Sequence, residues 1–258
     1  MKPIATTDVL LSKMRWEGLH KKESLDRVIE KDPTIQSYWR FLLKYHRKWN
    51  SISFLDLGCG VAWVSSLVAQ SGGHVTGVDI TKEAVIKSKQ LFKKRGSRGF
   101  FVQGNLLALP FRENEFSFIW SCMSLEYVRS TKKAIKEAYR VLKPGGTMIA
   151  VVPVVSLTTL TYHQLRGDIP NVPILRQLME WFHLKWMSGK YLHYGYEQSF
   201  TPGQLRQLFL KAGFTVKTVA YFPMYYPIAF IPKWFRRFIQ SLLKYRLFWP
   251  LCYVEAVK

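Results

Sequence analysis

The sequence predicts an α/β fold built around a parallel sheet, and three observations carry the prediction. Residues 52–57 form a short apolar run of the kind that a strand buried on both faces presents. That run passes through Gly58-Cys59-Gly60 into residues 61–69, which read as a helix, so strand, tight turn and helix start follow one another directly. A second strand at 74–79 then ends in the carboxylate of Asp79. Unpaired N–H groups at a helix start, beside an acid on the tip of the next strand, suit a nucleotide whose ribose hydroxyls the acid can bind.

The elements follow in order. Residues 1–33 are polar and mixed in charge, and are expected to form one or two helices over the ligand site. Pro33 precedes a helix whose apolar positions Ile35, Tyr38, Trp39, Leu42 and Leu43 recur at helical spacing. It should pack on the sheet, with Tyr38 a minor candidate for the site. After Asp79, Thr81 caps a helix that runs to about Lys94 and stops near Gly96. A third strand at 100–102 leads into Gln103-Gly104-Asn105-Leu106-Leu107-Ala108-Leu109-Pro110-Phe111, and a fourth at 116–120 into Ser121-Cys122-Met123-Ser124-Leu125-Glu126-Tyr127-Val128. Strand tips at this edge of a parallel sheet hold ligands. The helix at 131–142 has Ala134, Ile135, Ala138, Tyr139 and Leu142 on one face, and Lys143-Pro144-Gly145-Gly146 turns the chain into a fifth strand at 147–152.

Residues 153–199 read as an insertion at the ligand edge, rich in rings and histidine. It should cover an acceptor, although most of its rings only pack the cap itself. Thr201 and Pro202 start a helix with Leu205, Leu208, Phe209 and Ala212 inward. A sixth strand follows at 213–219 and a seventh at 253–258. Between them, residues 224–252 form a second insertion. Its stretch 233–244 sets Trp234, Phe235, Phe238, Ile239, Leu242 and Leu243 against Lys233, Arg236, Arg237, Gln240 and Lys244. Such a helix lies flat on an anionic membrane, or packs on the domain or a second subunit with its cations in water.

Two nucleotide cofactors fit the first turn. A dinucleotide fingerprint wants a small residue at position 63, and Trp63 argues against it. Leu55-Asp56-Leu57-Gly58-Cys59-Gly60 instead resembles the first motif of the class I S-adenosylmethionine (SAM)-dependent methyltransferases, a family with a third small residue where this chain has Ala62. Gly104-Asn105 with Leu109-Pro110-Phe111 resembles that family's third motif. Tyr139-Arg140-Val141-Leu142-Lys143-Pro144-Gly145-Gly146 resembles its most recognisable turn, and Thr201-Pro202 through Ala212-Gly213-Phe214 a later helix and strand. The likeness covers roughly 50–150 closely and 200–222 less so; it is to the small-molecule type, quinone-biosynthesis enzymes included.

The resemblance implies a Rossmann-like sheet of seven mostly parallel strands with helices on both faces. It implies one domain across 1–258, with N-terminal helices at 1–49, a cofactor-binding core at 50–152, the cap at 153–199 and the end of the sheet at 200–258. It implies SAM as cofactor, with contacts at Asp56, Gly58, Cys59, Gly60, Asp79, Ile80, Asn105, Leu106 and Ser121. Asn105 replaces the family's acid, whose place is against the adenine amino group, and its side-chain oxygen can accept the same bond. Tyr127 replaces a frequent histidine. Tyr127, His163 and His193 are the catalytic candidates, with Glu197 a further acid to test as a base. The reaction implied is in-line attack by an oxygen, nitrogen or carbon on the sulfonium methyl, which requires no metal and needs a base only for a proton of high pKa.

Charge and cysteine bound the partners. The net charge of +21, from 38 Lys+Arg against 17 Asp+Glu, favours a polyanion, and membrane is placed ahead of nucleic acid. Adenine amino-methylating enzymes carry an Asn/Asp-Pro-Pro-aromatic tetrapeptide after the fourth strand, which is missing. Cytosine C5 enzymes need a nucleophilic cysteine, usually after proline; Ser121-Cys122 lacks that proline, so Cys122 reads as a buried thiol. The three cysteines make no zinc or disulfide pattern. With no signal peptide or apolar run of membrane-spanning length, the expectation is a cytoplasmic protein, peripheral on the inner face of a membrane. An RNA methyltransferase and a non-catalytic partner subunit are the alternatives, and the oligomeric state is open.

Overall fold

The computed structural model describes residues 4–157, 169–170, 198–222 and 245–258 and eight single positions between 178 and 242, with side chains from Lys13 onward except at 169–170. His163, His193 and Glu197, most of the 153–199 cap, and all of the 233–244 helix but Trp234, Phe238, Ser241 and Leu242 lie outside the described residues.

Helices α1 (Ile4–Lys22) and α2 (Pro33–Leu42) precede β1 (Ser53–Leu57). Then come α3 (Trp63–Gln70), β2 (His74–Asp79), α4 (Lys82–Lys94), β3 (Gly99–Gln103), β4 (Phe116–Cys122), α5 (Thr131–Val141) and β5 (Leu142–Pro153). After the cap, α6 (Pro202–Leu210), β6 (Thr215–Tyr221) and β7 (Leu251–Val257) complete the sheet. Its seven strands lie in the order β3-β2-β1-β4-β5-β7-β6. All the β1–β5 pairings are parallel, and β7 runs antiparallel to both neighbours. The order reverses between β1 and β4, where a doubly wound sheet opens a crevice at its carboxyl edge.

Both faces of the sheet are covered, which is why its central strands read as unbroken apolar runs. Leu55, Leu57, Ile119, Met148, Ala150 and Val254 point into one core with α5 and α6. Their neighbours Phe54, Phe118, Trp120, Ile149 and Val151 point into the other, beneath α2, α3 and α4. The second core is largely aromatic: Trp49 meets the Phe118 ring at 5.1 Å, and Phe54 stacks on Phe118 at 5.8 Å and 8°.

The local signals explain most boundaries. Asp32 caps α2 by accepting from the N–H groups of Thr34 and Ile35, with Pro33 in the first turn. Thr201 and Gln204 form a reciprocal capping box on α6. Lys143–Gly146, expected as a turn before a strand at 147–152, already belong to β5, which starts at Leu142, and they receive the chain end: Gly145 N–H donates to the Lys258 carbonyl and Lys258 N–H to Gly146.

Further expectations need correction. Phe41, left out of the α2 stripe, is buried against Tyr253 and Phe222, whereas Leu43 lies beyond the helix end and is only partly buried. Helix α3 starts at Trp63, two residues later than the glycine turn suggests, because Ala62 is left-handed (φ 61°) and ends the turn. Leu251 and Cys252, assigned to the second insertion, are buried strand residues of β7 paired with Pro153 and Val152.

Candidate cofactor site

The carboxyl ends of β1, β2 and β4 meet around a cavity of about 560 Å3, and α1 covers it. The turn after β1 forms its floor. Gly58 and Cys59 N–H both donate to the Val78 carbonyl (2.8 and 3.1 Å), binding this turn to β2. Gly58 is left-handed (φ 72°), and a Cβ there would lie 2.5 Å from that of Ser124. Only glycine fits without a shift of the β4 loop.

Asp79 ends β2 with its carboxylate held on three sides. Its Oδ2 accepts from the Gly60 N–H at 3.1 Å, and its Oδ1 accepts from the Thr81 N–H and hydroxyl at 2.9 and 2.8 Å. The carboxylate is thus fixed beside the glycine turn, with acceptor capacity left over for the two hydroxyls of a ribose. Ile80, Asn105 and Leu106 continue the wall. The Asn105 Oδ1 accepts from the Leu107 N–H at 2.9 Å, which orients the side chain and leaves a second lone pair.

The β4 loop forms the opposite wall through Cys122, Met123, Ser124 and Tyr127. Ser124 donates to the Leu57 carbonyl at 2.8 Å, so this loop and the β1 turn hold each other. Met123 has φ 55°, an unfavourable conformation for a long side chain, and Ala62 on the other side of the site is left-handed too. Strain of this kind concentrates at sites the surrounding structure over-determines.

Helix α1 supplies Lys13, Trp16 and His20 to the same cavity. These positions fall at i, i+3 and i+7, one face of a helix. Trp16 meets Tyr127 edge-on at 5.0 Å and stacks on His20 at 5.8 Å. The sequence places a helix over the site but names none of these residues; their shared helical face is the signal that identifies them.

Of the nine residues assigned to the cofactor, seven line the cavity and two do not. Asp56 is buried below it and accepts from the Ser65 hydroxyl of α3. Burial raises its carboxyl to about 7, against the Ser65 hydrogen bond and with the charge of Asp79 adding to the shift. Ser121 lies behind Ser124, hydroxyl to hydroxyl at 2.6 Å, and reaches the cavity only through it. Tyr127 lines the wall. Burial pushes the thiols of Cys59 and Cys122 far up, so neither is a ready nucleophile. No cluster of metal ligands occurs among the described residues.

The site fits SAM on its own geometry: a glycine turn too tight for a Cβ, an anchored acid one strand away, and a cavity of nucleoside scale. Comparison with known proteins agrees. Residues 55–150 match the family described as "Methyltransferase domain". A malonyl-[acyl-carrier protein] O-methyltransferase of Buchnera aphidicola is 35% identical over 99 residues, 38% of this chain and 38% of that one. The chain thus spans about two fifths of such a relative's length. A demethylmenaquinone methyltransferase of Listeria monocytogenes is 26% identical over 226 residues, covering 76% of this chain and 89% of that one. The magnesium protoporphyrin IX methyltransferase of Synechocystis PCC 6803, solved with bound SAH, shares the fold at a TM-score of 0.59 and 16% identity, over 95% and 93% of the two chains.

Proposed function

Since the chain carries a class I SAM-dependent methyltransferase domain, we propose that it methylates a small-molecule acceptor with an apolar or aromatic surface. The observation that carries this is the anchored pair of Asp79 and Gly60 at the floor of a cavity whose far wall is aromatic. Bound SAM supplies a methyl group already activated on a sulfonium. The chain's part is then position: Asp79 and Asn105 hold the nucleoside, and the Gly58–Gly60 turn lets it lie close to the backbone. Trp16, Tyr38 and Tyr127 keep water from the reacting end and offer rings to an apolar acceptor. Tyr127 is the proton-handling group of that wall in this reading.

Calorimetry with SAM tests the cofactor half. Asp79→Ala should weaken binding by about 1.5–3 kcal/mol, the loss of hydrogen bonds to a charged group; unchanged affinity rules out the assignment. Transfer of labelled methyl to demethylmenaquinone, as an aromatic acceptor probe, tests the other half. Tyr127→Phe should slow transfer and leave SAM affinity intact. Turnover on any acceptor excludes a non-catalytic partner subunit.

The same reading places the protein on the inner face of an anionic membrane, where a lipid-like acceptor resides. Its support is the charge of +21 and the exposure of Trp181, Trp186 and Trp234 at 55%, 66% and 76%, with Lys185 over the first two rings. Among the described residues no helix is long and apolar enough to cross a membrane. The measurement is sedimentation with anionic and neutral vesicles. A Trp234→Ser/Phe238→Ser double variant that sediments like wild type removes the 233–244 helix as an anchor, and RNA becomes the competing polyanion.

A further inference from the structure

His20 has no role in the reading so far, although it is buried and lies directly on the glycine turn. A Cβ on Gly60 would sit 3.3 Å from its Cε1 and 3.9 Å from its Nε2. The other ring nitrogen, Nδ1, faces Glu23 Oε2 at 3.4 Å. Glu23 is itself fixed, because its Oε1 accepts the Trp63 indole N–H at 2.7 Å. Trp16 stacks on the imidazole, and Lys87 of α4 donates to the carbonyls of Lys21 and Glu23, tying the end of α1 down. The ring is therefore held by one nitrogen, and the other is left over the floor of the cavity.

We propose that α1 is a clasp on the cofactor, in which protonated His20 meets the carboxylate of the cofactor's amino-acid tail through Nε2, so that cofactor affinity depends on pH. The proposal rests on the methyl-transfer reading. Its direction comes from the order of groups along the cavity. Asp79, bonded to Gly60, marks the ribose, and Asn105 lies beyond it towards the base. The group that extends past Gly60 the other way, under His20 and Lys13, is the amino-acid tail, whose carboxylate needs cationic partners.

Glu23 meets the ring at Nδ1 and has Arg27 beside it; Asp79, Lys13 and Arg129 line the same cavity, and Lys87 of α4 donates to the carbonyls of Lys21 and Glu23. Glu23 stays ionised: burial alone would raise its carboxyl, but hydrogen bonds from His20 and Trp63 together with the charges of His20 and Arg27 lower it. With Glu23 bonded at Nδ1 and the ligand carboxylate at Nε2, the imidazolium has an acceptor at each N–H.

The test uses S-adenosylhomocysteine and 5′-methylthioadenosine, the same nucleoside without the amino-acid tail. Both are titrated calorimetrically into the full chain between about pH 6 and 8, the range in which histidine changes charge. For wild type, S-adenosylhomocysteine should bind more tightly as pH falls, with proton uptake; methylthioadenosine should show neither effect. His20→Ala should weaken S-adenosylhomocysteine about tenfold or more at the acid end, abolish the pH dependence and leave methylthioadenosine unchanged. His20→Gln, which keeps a hydrogen bond without the charge, should also lose the pH dependence. An equal loss for both ligands would make His20 structural and overturn the clasp, as would a pH dependence that survives in either variant. If wild type binds S-adenosylhomocysteine at no pH, the methyl-transfer reading itself falls.

Discussion

Replacing Asp56 by asparagine should stabilise the protein at alkaline pH and much less at acid pH. The carboxyl is 6% exposed, and burial lifts it from its ordinary 3.8 to about 7. The folded protein therefore keeps a proton that the unfolded chain releases above pH 4. The sign follows: where the native state binds more protons, stability falls as pH rises, here from about 4 to about 7. The full shift is about three units, or about 4 kcal/mol at 1.36 kcal/mol per unit. About 2–3 kcal/mol of that is lost between pH 5 and pH 8. Asparagine carries no charge to bury, and its side-chain oxygen can still accept the Ser65 hydroxyl. Urea unfolding of wild type and Asp56→Asn at the two pH values isolates this contribution, since the other titrating groups cancel in the difference. The variant should gain about 2–3 kcal/mol relative to wild type on going from pH 5 to pH 8. A difference between the two proteins that is the same at both pH values would refute the reasoning.

Gly58→Ala forces a left-handed alanine, about 1–2 kcal/mol, and overlaps Ser124, about 1–3 kcal/mol more; urea unfolding should register the sum, and Gly58→Ala/Ser124→Gly should recover the steric part only. Thr201→Ala removes the hydroxyl that accepts from Gln204 N–H, and should cost about 1 kcal/mol in the same assay without altering SAM affinity.

The sheet was readable because each strand is covered twice. Phe54 and Leu55, or Phe118 and Ile119, go to opposite cores, so the apolar run has no gap and its length marks the strand. The glycine turn and Asp79 were readable because their backbone geometry demands those residue types. Three features were not. Asp56 and Ser121 sit at strand ends, but a strand's side chains alternate between faces, and theirs turn to Ser65 and Ser124 instead of the cavity. The inner line of α2 runs through Ile35, Tyr38, Phe41 and Leu42 and on to Tyr45, whose hydroxyl donates to Glu255 at 3.0 Å; a contact 210 residues away leaves no mark on local periodicity. Helix α1 has no apolar stripe to orient it, and its site face mixes a lysine, a tryptophan and a histidine.

The three strand tips are not independent supports for one ligand. The β1 turn donates to the Val78 carbonyl of β2 and, through the Gly60 N–H, to the Asp79 carboxylate, and the β4 loop donates from Ser124 to Leu57. The left-handed residues Ala62 and Met123 sit in the two loops that these bonds tie down, where Ala62 N–H donates to Cys59 and Met123 N–H to Val151. Strain of about 1–2 kcal/mol at such a residue persists because relieving it would break bonds made by two other strands. The arrangement also explains the place of α1. The tips bond one another without the helix; among the described residues α1 is tied down by the Trp16–Tyr127 edge and the Lys87 bond to the Lys21 carbonyl, with the Trp63 bond to Glu23 just past its end.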